Sequence, residues 1–208
     1  LGAFMGANLN ATGSETAMAF STQSWGAIIA PLLVGLVADR YFNAERVLGL
    51  LHLTGAGLMF LLSGAVDFEG FYPLLLAYMM CFMPTLALVN SVAFRQLSDT
   101  AAEFGKIRLW GTIGWIVAGL MISYAFSWDA QQAVADGLLK NTFVMAGIVS
   151  LVLGVFSFTL PSTPPVPASN ESAGVLQALG LDALWVLKDR NWALFFVMSV
   201  LICIPSAY

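Results

Sequence analysis

The sequence predicts an all-α fold, a polytopic bundle of membrane-spanning helices. Of the 208 residues, 59% are hydrophobic and only 10% are charged, whereas a soluble domain has about 45–50% apolar and about 25% charged residues. Several runs reach the roughly 20 apolar residues that a helix needs to cross a bilayer. Only helices and closed barrels satisfy their backbone in lipid, and no barrel-type alternation is visible in the sequence.

The apolar runs predict complete spans over residues 17–38, 47–66, 71–94, 107–126 and 141–160. Each is bounded by polar or charged residues. The opening stretch "LGAFMG" resembles the last turns of an earlier span, and "NWALFFVMSVLICIPSAY" resembles most of a later one. We therefore expect a fragment that holds the end of span one, spans two to six and most of span seven.

Three regions follow from this division. Residues 1–160 are predicted to form a six-span bundle with a truncated first span, and residues 191–208 the start of a second bundle. Residues 161–190 are predicted to be a cytoplasmic central loop, because "PSTPPVPASNESAG" is rich in Pro and Ser. The next stretch, "VLQALGLDALWVLKDRN", is too short to span and is predicted to be a lateral amphipathic helix on the membrane face.

The basic residues predict the orientation, because Lys and Arg in short loops stay in the cytoplasm. Seven of the eight fall after alternate spans: Arg40, Arg46, Arg95, Lys106, Arg108, Lys188 and Arg190. Only Lys140 lies on the opposite side. These positions predict a multi-pass protein of the inner membrane whose full-length N-terminus is cytoplasmic.

Several chemistries find no support in the pattern. His52 has no Cys or Asp at metal-ligand spacing, no Ser has a neighbouring base, and no phosphate-cradling Gly-rich motif occurs. Cys81 and Cys203 lie in apolar runs and are interpreted as packed thiols. No block of like charge offers a surface for nucleic acid. The sequence therefore predicts neither an enzyme nor a metal or cofactor site.

The stretch "GLVADRYFNAER" closes the first complete span and resembles the Gly-x-x-x-Asp-Arg loop signature of major facilitator transporters. Gly35 would permit close approach of a neighbouring helix, while Asp39 and Arg40 would pair or cap a helix end as a cytoplasmic gate closes. The alternative is an ordinary charged turn with a topology signal. Six spans, a central loop and a second bundle match the plan of that fold.

Other segments resemble the nucleoside:proton symporter family within that superfamily. They are "LHLTGA", "FMPTLALVNSVAF", "FGKIRLWGTIGWI", "FTLPSTP" and "LGLDALWVLKDRNWALFF", and they occur in order across nearly the whole chain. The resemblance implies proton-coupled nucleoside import, with the proton as coupling ion and no other cofactor.

Arg108, Thr112 and Trp115 form the main candidate site. At about 100° per residue they fall within roughly 60° on one helix face. A guanidinium, a hydroxyl and an indole could bind a nucleoside by hydrogen bonds and stacking. From the sequence alone, the better interpretation of Arg108 is an interfacial cation beside Lys106 at the cytoplasmic end of the span. The resemblance, however, implies that all three residues line the substrate cavity.

Further polar residues lie within the predicted spans. His52 could relay protons, although a hydrogen bond to a neighbouring helix is the simpler interpretation. Pro84 interrupts the helix hydrogen bonds near Tyr78, Thr85 and Asn90, so these three either line the substrate pocket or bond between helices.

We therefore predict an alternating-access importer whose partners are a nucleoside, protons and the bilayer, and which acts as a monomer when full-length. No acid lies deep in a span, so the coupling carboxylate is expected in the missing half. Two alternatives stay open: a major facilitator importer of another polar solute such as a sugar, and a non-transporting membrane assembly.

Overall fold

The computed structural model describes residues 1–165 and 188–206. The chain divides into two compact units, Leu1–Val166 and Pro167–Tyr208. The predicted lateral helix of the central loop lies mostly outside the described residues. Within those residues every regular element is a helix, which confirms the all-α fold class.

The first unit contains seven α-helices and one π-helical turn among its described residues. The α-helices are α1 (Gly2–Asn8), α2 (Gly13–Arg40), α3 (Ala44–Ser63), α4 (Phe68–Gln96), α5 (Thr100–Leu120), α6 (Gln131–Ala135) and α7 (Lys140–Ser157). The π-helical turn, Met121–Ala125, continues α5. In the second unit the structure describes α8 (Arg190–Ser206). Among the described helices, four are long and apolar enough to cross a membrane: α3, α4, α5 with its π-helical turn, and α7.

Polar caps set the starts of three spans earlier than the sequence predicted. Thr12 and Glu15 form a capping box, in which the Thr12 N–H donates to the Glu15 carboxylate at 2.7 Å. Hydrogen bonds from the Thr12 N–H and hydroxyl lower the pKa of Glu15. Asp67 accepts from the Gly70 N–H, and Asp99 accepts from the Ala102 N–H. The predicted starts at 17, 71 and 107 missed these first turns because the turns are polar.

Small residues bring the main helix pairs close together. A Cβ added at Gly26 of α2 would lie 2.7 Å from the Met79 carbonyl oxygen of α4. On α3, a Cβ at Gly49 would lie 3.0 Å from the Gly154 carbonyl oxygen of α7. These helices approach so closely that their backbones touch, as is common where membrane helices pack through glycine.

A cluster of aromatic side chains packs α1 against α4 and α7. The ring of Phe4 in α1 lies 4.8 Å from that of Phe143 in α7, edge to face, and 5.6 Å from that of Phe71 in α4. Phe4, Phe71 and Phe143 are all buried. This cluster fixes the short helix α1 against α4 and α7.

Helix α5 stands apart from this packed core. Its clearest side-chain contact with another helix is near its start, where the Phe104 ring lies 4.5 Å from the Phe94 ring of α4. No residue of its membrane-length segment, Ala102–Ala125, is buried among the described parts of the chain. The helix that carries the main candidate residues therefore presents them on an open surface.

Candidate functional site

Arg108, Thr112 and Trp115 all lie in the regular α-helical part of α5. Their spacing of four and three residues therefore places them on one face, as the sequence indicated. All three are exposed in the described part of the chain, and Trp115 is 80% exposed. A donor, a hydroxyl and a flat apolar ring are thus available to a ligand on this face.

The depth of Arg108 bears on whether it is an interfacial anchor. The predicted span began at residue 107, which put Arg108 at the membrane surface. In the structure α5 begins at Thr100, so Arg108 lies eight residues, or about 12 Å along the axis, after the start of the helix. Lys106 is closer to the start and on another face. The ligand-facing role of Arg108 and its alternative as an interfacial cation therefore both stay predictions.

A concave surface extends beyond Trp115 toward the far end of α5. Its volume is about 500 Å³, and Trp115, Gly119, Ser123 and Tyr124 are among its lining residues. Gly119 lies eleven residues after Arg108, which returns to within about 20° of the same helix face. Extending the stripe by one more turn would have found this part of the surface from the sequence.

The π-helical turn forms the far end of this concave surface. The Phe126 N–H donates to the Met121 carbonyl oxygen at 3.0 Å, five residues back. The Ser123 hydroxyl donates to the Asp129 carboxylate at 2.5 Å. Single π-turns inside helices often occur at functional sites. Ser123, Tyr124 and Asp129 were not among the predicted site residues, because α-helical periodicity gives no signal for a π-turn.

The candidates on α4 divide into different environments. Tyr78 packs between helices: its ring lies 3.6 Å from where a Cβ on Gly55 of α3 would be, and it stacks on Phe82. Thr85 is 2% exposed, and its hydroxyl donates to the Phe82 carbonyl oxygen at 2.6 Å within its own helix. Asn90 is exposed. The structure thus does not gather these three residues on one surface.

His52 is bonded to a neighbouring helix. Its Nδ1 lies 3.1 Å from the hydroxyl oxygen of Ser150 in α7, and that hydroxyl donates to the His52 carbonyl oxygen at 3.0 Å. A hydroxyl has one hydrogen to give. With that hydrogen on the carbonyl, Nδ1 carries the proton and donates to Ser150. Of the two interpretations of His52, a proton relay and a hydrogen bond to a neighbouring helix, the geometry favours the hydrogen bond.

The gating candidates Gly35, Asp39 and Arg40 occupy the last turns of α2. Their side chains lie outside the described residues, so their gating role stays a prediction. Within residues 1–165 and 188–206, no group of three or more His, Cys, Asp or Glu side chains could hold a metal ion. Among the described residues, the α5 face brings together three of the predicted site residues, Arg108, Thr112 and Trp115.

The described residues form an all-α bundle in which four helices are long and apolar enough to cross a membrane. In comparisons with known proteins, the family model "Nucleoside H+ symporter" matches residues 1–208. The chain belongs to the nucleoside H+ symporter family. This membership confirms the predicted family.

Individual relatives agree with this assignment. The chain is 41% identical over 93% of its length to the provisionally assigned nucleoside transporter YegT of Escherichia coli (strain K12). It is 32% identical over 97% of its length to the xanthosine permease of the same organism. It covers 45% and 47% of those two proteins, respectively.

A solved structure confirms the fold. The crystal structure of a mutant of the nucleoside transporter NupG matches with a TM-score of 0.78 and 29% identity, covering 95% of this chain and 48% of that one. The chain thus spans about half the length of the relatives it matches.

Proposed function

We propose that the chain is part of a proton-coupled nucleoside importer. The observation that carries this proposal is the single face of α5 on which Arg108, Thr112 and Trp115 lie exposed. The guanidinium donates to a base carbonyl or a ribose oxygen, the Thr112 hydroxyl donates or accepts, and the indole stacks on the base. Membership of the nucleoside H+ symporter family supports the same substrate class.

The mechanism follows from the two-bundle plan. Proton and nucleoside both bind a midplane site and bias the same equilibrium between inward- and outward-facing states. The full-length protein acts as a monomer in the bacterial inner membrane, with the ends of α2 and α4 facing the cytoplasm because Arg40, Arg46 and Arg95 lie there. The residue that binds the coupling proton is a carboxylate outside this chain.

The test is uptake of labelled uridine and adenosine by the full-length protein in cells that lack other nucleoside transport. We expect saturable uptake that a protonophore abolishes and that Arg108→Ala reduces to background. Lys106→Ala is the matched control, because it removes a cation two residues away on a different face of α5. We expect this control to retain uptake.

The outcomes separate the alternatives. Background uptake of every nucleoside, with the protein present in the membrane, would rule out the nucleoside assignment and leave only the family's fold. Competition of nucleoside uptake by an unrelated sugar would favour the broader importer of polar solutes. Equal losses in Arg108→Ala and Lys106→Ala would show that charge at this end of α5, rather than the α5 face, matters.

A further inference from the structure

The chain that follows α7 turns back onto the start of α3. The Ala44 N–H donates to the Thr163 carbonyl oxygen at 3.1 Å, and the Thr163 N–H donates to the Glu45 carboxylate at 2.9 Å. Thr163 is 1% exposed and Glu45 is 4% exposed. These residues lie 118 positions apart, so this is a tertiary contact and not a local turn.

Two further contacts extend this attachment. The Asn43 amide donates to the other Glu45 carboxylate oxygen at 3.0 Å and to the Ser162 hydroxyl at 2.8 Å. The Arg95 guanidinium, at the end of α4, donates to the Pro164 carbonyl oxygen. We call this set the loop clasp: Asn43, Glu45 and Arg95 holding Ser162, Thr163 and Pro164.

Glu45 is the central group of the loop clasp. Burial of a carboxylate is costly unless hydrogen bonds satisfy its oxygens, and here each oxygen accepts one. Glu45 also lies in the first turn of α3, where the helix dipole favours a negative charge. One of its two carboxylate oxygens is satisfied only while Thr163 stays in place, which makes Glu45 a specific partner for that segment.

The held segment is suited to this role. Residues 161–165 read Pro-Ser-Thr-Pro-Pro, so only Ser162 and Thr163 have a backbone N–H to donate. Proline also restricts the free chain, which lowers the entropy lost on docking. The sequence had predicted residues 161–165 as the start of a mobile loop, but the structure fixes them to α3 and α4.

We propose that Glu45 is a positioning residue for transport, and that the loop clasp keeps the start of the central loop fixed to the first bundle throughout the transport cycle. This rests on the proposed transport function. Five unattached residues would add up to about 17 Å of slack to the connection. With the loop clasp closed, residues 161–165 move with the first bundle and cannot extend.

The first test needs no substrate. In the full-length protein, all native cysteines, including Cys81 and Cys203, are replaced by Ser, and the pair Asn43→Cys and Ser162→Cys is introduced. Mild oxidation in membranes should form a disulfide, seen as protection of both thiols from a maleimide-polyethylene glycol gel shift. The control pair Val66→Cys and Ser162→Cys, at opposite ends of the bundle, should stay reactive. Free thiols in the first pair would overturn the contact.

The second test asks whether the contact matters for transport. Glu45→Ala should lower the maximal uptake rate roughly tenfold, as expected for losing a hydrogen-bonded charged group, with little change in KM. Thr163→Ala keeps the N–H that Glu45 accepts and should transport normally. Glu45→Gln keeps one acceptor oxygen, so its maximal uptake rate should lie between those of Glu45→Ala and Thr163→Ala. This variant keeps the test usable if Glu45→Ala is poorly folded.

Covalent rescue separates positioning from folding. In the Glu45→Ala protein, oxidation of the pair Asn43→Cys and Ser162→Cys should restore uptake and reduction should remove it again, in the same protein sample. Normal uptake by Glu45→Ala, or a block of uptake when the pair is oxidised, would overturn the proposal. If the parent carries no nucleoside, the proposed function fails, while the disulfide yield still tests the loop clasp.

Discussion

Trp115 and Trp110 allow base stacking to be tested at a single residue, because both indoles are exposed on α5 but point about 140° apart. Stacking of a base on an aromatic side chain is worth about 1–3 kcal/mol by alanine substitution. We therefore expect Trp115→Ala to raise the KM for uridine by roughly 5- to 150-fold. Trp115→Phe should keep most of the affinity, and Trp110→Ala should leave KM unchanged. Kinetics of labelled uridine uptake measure all three.

Equal effects of Trp115→Ala and Trp110→Ala would contradict a stacking face. They would mean instead that both indoles act through the stability of α5. An unchanged KM in Trp115→Ala, with uptake intact, would favour the importer of another polar solute, which does not need an aromatic platform.

His52 tests whether a buried polar residue in this bundle is structural. Replacing it by Ala removes the donor to Ser150 and should lower the free energy of unfolding by about 1–3 kcal/mol. We expect a lower Tm for the purified full-length protein, while uptake stays sensitive to a protonophore. Thr54→Ala is the control, because the Thr54 hydroxyl is exposed and donates within α3 at 2.9 Å.

A proton relay through His52 predicts the opposite pattern. His52→Ala would then keep its Tm but lose the dependence of uptake on the proton gradient. The reciprocal hydrogen bonds between His52 and Ser150 argue against this, because a relay residue needs freedom to release its proton, and here Nδ1 is already committed.

At the scale of the helix, close packing through glycine makes a further prediction. Gly26→Ala would place a Cβ 2.7 Å from a backbone oxygen of α4, and forced overpacking costs about 1–3 kcal/mol. Gly57 in α3 has nothing within 4 Å of its Cβ position among the described residues. Gly57→Ala should be neutral or stabilise by up to about 1 kcal/mol, from helix propensity. Thermal unfolding of the two full-length variants compares them.

If Gly26→Ala were as stable as Gly57→Ala, the contact between α2 and α4 would have to be looser than the structure shows. A shift of the Met79 carbonyl is costly because it would break the regular hydrogen bonding of α4. We therefore expect the whole effect to fall on the α2–α4 pair.

These pairs also show what the sequence could and could not predict. Hydrophobic length was enough to find the four helices that are able to cross a membrane, α3, α4, α5 and α7, since burial in lipid dominates that choice. It could not select partners, because glycines occur on most faces. Gly111, Gly114 and Ala118 form a stripe of small residues on α5 that is typical of close helix packing. Nothing, however, lies within 4 Å of a Cβ at Gly111 or Gly114 among the described residues. A sequence pattern is local information, whereas the choice of packing partner for a helix depends on tertiary structure.

The candidate site and the loop clasp likewise differ in how far the sequence could predict them. The spacing of Arg108, Thr112 and Trp115 follows from helix geometry and was predictable. The loop clasp was not, because Glu45 in the sequence is one acid beside Arg46, and its partner Thr163 lies in a Pro-rich stretch that composition describes as a loop. Only the fold brings a carboxylate and a backbone N–H 118 residues apart to within 2.9 Å.

At the scale of the whole molecule, the distribution of Lys and Arg predicts which end of the bundle faces the cytoplasm. Tyr41, between α2 and α3, is 71% exposed at the end that carries Arg46 and Arg95, and Val66, between α3 and α4, is 83% exposed at the other end. In the cysteine-free full-length protein, Val66→Cys should react with a membrane-impermeant maleimide in intact cells. Tyr41→Cys should react only after permeabilisation.

The two positions control for each other, because both side chains are open to solvent in the structure and differ only in the side of the membrane. The reverse labelling pattern would mean that the bundle has the opposite orientation in the membrane. The loop clasp would then face the outside, and the positive-inside argument would fail for this chain. Labelling of both positions in intact cells would indicate leaky cells or mixed insertion. The expected pattern would place the loop clasp in the cytoplasm, where the central loop must lie if it joins two bundles that rock about a midplane site.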